Sequence, residues 1–198
     1  MSNKLERARE ILELESRAIQ NIPLDNRLLE AVELLAATRG KVVCSGMGKA
    51  GIIARKVAAT FSSTGTSAVF LHPGEAQHGD LGLLSPGDVL LVFSNSGKTR
   101  EAIELVQLAR QLIPEALPVV TITSDADSAL ARASQVALTM GRVQEACSLG
   151  MAPTASTTAM LALGDVLCML VMEEKNFTPD DFFKRHHGGY LGQQKPLL

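Results

Sequence analysis

A chain of 198 residues suits one domain, with a core large enough to fold without disulfides or metals. Its 19 Lys and Arg against 21 Asp and Glu leave a net charge of −2, which supplies no pull toward nucleic acid or an anionic membrane. One Tyr, six Phe and no Trp leave little for a base-stacking platform, and three widely spaced cysteines without a CxxC pair argue against a disulfide framework or a thiolate zinc site.

The first ten residues, MSNKLERARE, are charged and lack the apolar segment of a signal peptide. Residues 3–38 carry Leu5, Ala8, Ile11, Leu12 and Leu14, then Leu24, Leu28, Val32 and Leu35, at helical spacing. Pro23 disfavours helix at the residue before it, so two helices are expected, parted at Asn21-Ile-Pro-Leu. Short β-branched runs follow at Val42–Cys44, Ala68–Leu71, Val89–Phe93, Val119–Ile122 and Val136–Leu138. Continuous apolar runs of this length fit strands buried on both faces of a parallel sheet. Helical stretches lie between and after them, at 49–61, 99–112, 126–133 and about 155–174. This alternation predicts an α/β fold, a doubly wound five-stranded parallel sheet flanked by helices. The apolar stretch Ala159–Met172 is fourteen residues interrupted by Gly164 and Asp165, short of a bilayer span, so a soluble, cytoplasmic protein is expected. The tail from 178 to 198, rich in Pro, Gly and His, is expected to pack on a neighbouring surface or subunit.

A doubly wound sheet binds its ligands beyond the carboxyl ends of the strands. The loops there read Ser45-Gly-Met-Gly-Lys-Ala-Gly51, His72-Pro-Gly-Glu-Ala-Gln-His-Gly-Asp80 and Ser94-Asn-Ser-Gly-Lys-Thr-Arg-Glu101. Gly46-x-Gly48-x-x-Gly51 matches a dinucleotide fingerprint in form. His72-Pro73-Gly74 nevertheless separates the acidic Glu75 from the strand end, and the glycines serve a tight turn equally well. Gly97-Lys98-Thr99 looks like the end of a nucleotide P-loop, but Val92 stands where that motif needs glycine. Three hydroxyls in six residues, Ser94, Ser96 and Thr99, at the start of a helix favour a phosphate cradle over an ordinary helix cap. Glu101 in the first turn of that helix either complements its dipole or transfers protons beside a bound phosphate. Glu145 lies in a second Gly- and Pro-bearing stretch, where Thr154 or Ser156 caps the last long helix. His72, His78, His186 and His187 lack i, i+4 ligand spacing with a third group, so hydrogen-bonding or acid/base roles suit them better than a metal.

Taken together, these loops and Ala152-Pro-Thr-x-Ser-Thr-Thr158 resemble sugar isomerase (SIS) domains, and most closely the D-arabinose 5-phosphate isomerases that supply 3-deoxy-D-manno-octulosonate (Kdo) synthesis for lipopolysaccharide or capsule. The similarity runs from about residue 30 to His186-x-Gly-Gly-x-Leu-Gly192. It implies one SIS domain over 1–198, with 1–38 as N-terminal helices. Many relatives carry a CBS pair after the domain, where this chain stops at Leu198, and His187 stands where the family tail has proline. The resemblance implies Lys49, His78, Glu101, Glu145 and His186 as catalytic residues. It implies Ser45, Gly46, Ser94, Asn95, Ser96 and Thr99 at the substrate phosphate, with no cofactor and no metal. The implied reaction runs through a cis-enediol, with Glu101 or Glu145 as the base, in a homotetramer whose sites are shared between chains. A non-catalytic sugar-phosphate sensor, an isomerase of another sugar phosphate and a dinucleotide-dependent oxidoreductase are the alternatives.

Overall fold

The computed structural model describes residues 2–115 and 117–187. Helices α1 (Ser2–Gln20) and α2 (Asn26–Ala36) are separated at the expected break, and Asp25 caps α2 by accepting from the Arg27 amide at 3.0 Å. The sheet strands are β1 (Val42–Gly46), β2 (Ala68–Leu71), β3 (Val89–Phe93), β4 (Val119–Thr123) and β5 (Val136–Thr139). They run parallel in the order β2-β1-β3-β4-β5. Between and after them lie α3 (Gly48–Ser63), the short α4 (Pro73–Ala76), α5 (Arg100–Leu112), α6 (Ala129–Arg132), α7 (Ala155–Glu174) and α8 (Pro179–Phe183). A 3₁₀ turn at Asp80–Leu83, α4 and α8 are additions that apolar periodicity does not signal, because each is a single turn.

Every residue of β1, β3 and β4 is buried, as double coverage of a parallel sheet requires. Alternate side chains feed two cores. Val42, Cys44, Leu91, Phe93, Val120 and Ile122 pack with α1, α2, α3 and α7, whereas Val43, Leu90, Val92 and Val119 pack with α4, α5 and α6. The twenty-residue α7 is long and apolar enough to cross a membrane, but half of its most apolar stretch is buried inside the fold. Gly164 lets α3 approach closely, since a Cβ there would sit 2.5 Å from Val57 Cγ2. The hydropathy of α7 is that of a core helix.

At the amino edge of the sheet, Asp88 is buried and accepts from the Lys41 and Ser85 amides, both at 2.9 Å, and from Lys41 Nζ at 2.7 Å. This ties the entry to β1 to the turn before β3. A groove of about 330 Å³ at that edge includes Asp88 in its wall, but the carboxylate is already committed to these donors. The carboxyl edge carries the loops that hold the candidate residues.

Candidate functional site

The sheet order reverses between β1 and β3, whose connections leave in opposite directions and open a crevice at the carboxyl edge. The first loop is shaped by close packing. A Cβ on Gly51 would lie 2.4 Å from the Gly46 carbonyl oxygen, and one on Gly46 would lie 2.9 Å from that of Phe93. Gly48 takes φ +56°, which favours glycine. Gly46 and Gly51 of the apparent fingerprint thus seat α3 against β1 and β3, and Gly48 supplies the turn into the helix. Met47 gives α3 no side-chain cap, and Lys49 is exposed in its first turn.

Ser45 differs from the expectation of a phosphate ligand. It is fully buried, and its hydroxyl donates to the Leu71 carbonyl at 2.6 Å. That donor fastens β1 to β2 near the carboxyl end of both strands.

The third loop carries the strongest anion-binding geometry. Thr99 is the N-cap residue of α5 yet makes no capping bond; its hydroxyl meets Ser94 Oγ at 2.9 Å instead. Ser94 Oγ also accepts from the Gly97 amide at 3.1 Å, and Ser96 Oγ accepts from the Lys98 amide at 3.2 Å. Among the described residues, the Asn95 and Ser96 amides have no acceptor. An uncapped helix start, amides without an acceptor and paired hydroxyls present a contiguous set of donors. Asn95 and Ser96 are exposed at its rim. Glu101, half-buried, stands in the first turn of α5 with no hydrogen bond or ion pair among the described residues.

The second loop leans on the same helix. Gln77 Nε2 donates to Glu104 Oε2 at 2.8 Å, one turn beyond Glu101, and the exposed His78 follows directly. Glu104 is also paired with Arg100, whose hydrogen bond holds its carboxyl below the ordinary range. His72 caps nothing, and its Nδ1 is buried without a partner among the described residues.

Glu145 is held from the start of α7. Its Oε2 accepts from the Thr154 amide at 2.7 Å, the Thr154 hydroxyl at 3.0 Å and the Ser156 amide at 3.3 Å. Partial burial pushes this carboxyl up, but the bonds from Ser156 and Thr154 outweigh it and leave it below its ordinary value of 4.5. The expected cap, Thr154 or Ser156, is therefore inverted: Glu145 serves as the acceptor for both amides. Arg7 of α1 supports the same loop, donating from Nη2 to the Ala146 carbonyl at 2.7 Å. Neither Arg7 nor the Thr123-Ser124 pair at the end of β4 stood out in the sequence. A hydroxyl pair at a strand's carboxyl end was the available signal for the second.

His186 lies elsewhere in its own chain. The α7 helix starts beside Glu145 and runs about 30 Å to the amino edge. There Phe177 covers Gly65 in the turn before β2, and the Arg185 guanidinium sits 5.2 Å from the Phe177 ring centroid. His186 follows, stacked on Phe182 at 3.7 Å with Nδ1 2.9 Å from the Phe182 carbonyl oxygen. The structure thus gathers Lys49, His78, Glu101, Glu145 and the 94–99 loop at one edge, and sets His186 at the other. Tail residues 188–198 lie outside the described residues. Among those described, no group of three His, Cys, Asp or Glu side chains is spaced to hold a metal ion.

A model of the SIS domain matches residues 34–170. Arabinose 5-phosphate isomerase KdsD of Salmonella typhi is 44% identical over 188 residues, covering 94% of this chain and 56% of the relative. The chain therefore spans about half the length of the curated relatives it matches. Among solved structures, a Bacteroides fragilis candidate phosphosugar isomerase involved in capsule formation superposes with TM-score 0.92 at 51% identity, covering 94% of this chain and 99% of that one. The c3406 protein of E. coli CFT073, solved in complex with arabinose 5-phosphate, superposes with TM-score 0.85 at 35% identity, covering 91% and 96%.

Proposed function

The chain belongs to the SIS domain family, and on that premise we propose that it is an aldose–ketose isomerase interconverting D-arabinose 5-phosphate and D-ribulose 5-phosphate. The observation that carries this reading is the open start of α5. Thr99 commits its hydroxyl to Ser94 rather than to the helix, so the first-turn amides stay available for a phosphate dianion in the turn that carries the Glu101 carboxylate. Similarity to a protein solved with arabinose 5-phosphate supports the substrate class.

Anchoring the phosphate at 94–99, with the Gly46 strand end beside it, extends the sugar across the crevice toward Glu101 and Lys49. A base removes the proton from C2 of the aldose, the pair of electrons forms the enediol, and the proton returns to C1 while a hydroxyl proton passes from O2 to O1. C1 is reduced and C2 oxidised within one molecule, so the reaction needs no redox cofactor. We assign the base to Glu101. Glu145 already accepts three hydrogen bonds on one oxygen, which lowers its appetite for a proton and suits it to orient a sugar hydroxyl through the other. Lys49 and His78 stabilise the developing enediolate oxygen and shuttle the hydroxyl proton.

His186 stands at the far edge of its own chain, so the reading requires a second copy to bring it to the site. We assign the protein a homotetramer with shared sites, the 178–198 tail crossing the interface. Its substrate is a dianion confined to the compartment that makes it, which places the enzyme in the cytoplasm, drawing arabinose 5-phosphate toward Kdo. Incubation with arabinose 5-phosphate in deuterated water tests the chemistry: ribulose 5-phosphate should form, and recovered aldose should carry deuterium at C2. Binding without turnover of any pentose or hexose phosphate would make the protein a sensor instead. Mixing Lys49→Ala with His186→Ala subunits tests the sharing, since some mixed sites regain both groups and part of the activity.

A further inference from the structure

The loop after β4 has no part in the roles above, yet its donors converge on the loop from Ser94 to Thr99. The Ser124 amide and hydroxyl both donate to the Asn95 carbonyl oxygen, at 2.8 and 2.7 Å, and the hydroxyl of the buried Thr123 adds a third bond at 3.1 Å. Two residues on, the Gly97 carbonyl accepts from the Leu130 amide at 3.1 Å. Gly97, at φ +60°, lies so close to Ser128 that a Cβ would come within 2.0 Å of its Oγ. Ser128 is itself fixed, buried and capping α6 through the Ala131 amide at 3.2 Å. The Asn95–Ser96 and Gly97–Lys98 peptides are thus held from behind by residues 123–130.

We propose that Thr123 and Ser124 are positioning residues for phosphate binding. Three donors on one carbonyl hold the Asn95–Ser96 peptide in a single orientation. They also polarise it, so that its Ser96 N–H, without an acceptor among the described residues, becomes a stronger donor. A loop carrying a positive-φ glycine would otherwise sample several conformations, and binding would bear the cost of ordering it. The inference rests on reading 94–99 as the phosphate cradle. Because the phosphate takes no part in bond changes, loss of the clamp weakens substrate and transition-state binding alike.

The test is Ser124→Ala, half-exposed and without a packing role, measured with arabinose 5-phosphate as substrate and inorganic phosphate as competitive inhibitor. KM and the inhibition constant of phosphate should rise together by about 3- to 10-fold, the effect of one lost hydrogen bond, with kcat unchanged. Ser124→Thr, which keeps the hydroxyl, should restore both, and Thr123→Val should add a further increase if it folds. A fall in kcat at constant KM, an unmoved phosphate constant, or a Ser124→Thr as impaired as Ser124→Ala overturns the proposal. Wild-type protein that binds neither phosphate nor sugar phosphate removes the cradle reading and this inference with it. Wild-type binding that Ser124→Ala leaves unmoved removes the inference alone.

Discussion

Replacing Glu145 by Gln separates its anchoring of the start of α7 from the substrate-orienting task proposed for it. The side chain keeps its shape, but the oxygen that receives the Thr154 amide, the Thr154 hydroxyl and the Ser156 amide loses its charge. Bonds to an ionised acceptor are roughly twice as strong as neutral ones, and these satisfy the otherwise open first turn of α7. The loss is comparable to removing a helix cap, about 1–2 kcal/mol, with the partial exposure of Glu145 holding it to the low end. For a chain of this size a loss of about 1 kcal/mol lowers the melting temperature by about 2–4 °C. The carboxyl sits below its ordinary value of 4.5 in the folded state, so its contribution is complete above that pH and fades as pH falls through the lower folded value. The gap between wild type and Glu145→Gln should therefore close on acidification. Thermal denaturation at matched protein concentration, from pH 7 down to pH 3, measures both effects. Glu101→Gln is the control: it should melt like wild type, since Glu101 has no partner to lose among the described residues, while turnover falls by about 10²–10⁴. A Glu145→Gln protein with wild-type melting temperature and unchanged acid dependence would refute the anchoring of this loop. Near-native turnover of Glu101→Gln would pass the base to Glu145.

Three further outcomes follow from the packing. Asp88→Ala leaves the Lys41 ammonium and two amides without their acceptor and should cost about 3 kcal/mol in urea denaturation, the lower end for a broken buried pair because Lys41 keeps 23% of its side-chain exposure; a loss under about 1 kcal/mol would mean the turn is held by other contacts. Burial pushes the Cys44 thiol well up and the Cys168 thiol up to about 12, whereas the Ala152, Leu149 and Met151 amides draw Cys147 below its ordinary value. Alkylation of the folded protein near pH 8 should accordingly modify Cys147 first, as peptide mass spectrometry would read, and equal labelling at Cys44 would contradict the core packing. Gly51→Ala should destabilise by about 3 kcal/mol because its methyl meets the Gly46 carbonyl at 2.4 Å, whereas Gly48→Ala, strained only by its positive φ, should cost about 1–2 kcal/mol; the reverse order would show that α3 does not need its close seat on β1.

The strands were legible in the chain because burial on both faces leaves a continuous β-branched run that needs no partner to be recognised, as at Val89–Phe93. The break at Pro23 and the span of α7 were equally local, fixed by proline geometry and by an apolar helix bounded by Thr154 and Lys175. The hydroxyl-rich loop at 94–99 was visible too, since its hydroxyls are contiguous in the chain and open a helix. Groups whose roles depend on distant partners were not. Ser45 reads as a ligand until β2 presents the Leu71 carbonyl to it, 26 positions away. The Glu145 carboxylate meets its three donors only when α7 delivers them, and Arg7 reaches the Ala146 carbonyl, 139 positions on, only when α1 lies across it. The separation of His186 from the other site residues is likewise a matter of helix length, because α7 carries the chain from one edge of the sheet to the other. Local propensity sets which segments are strand and helix. Only the packed fold decides which hydrogen-bonding groups are already engaged, and so which remain free for a substrate.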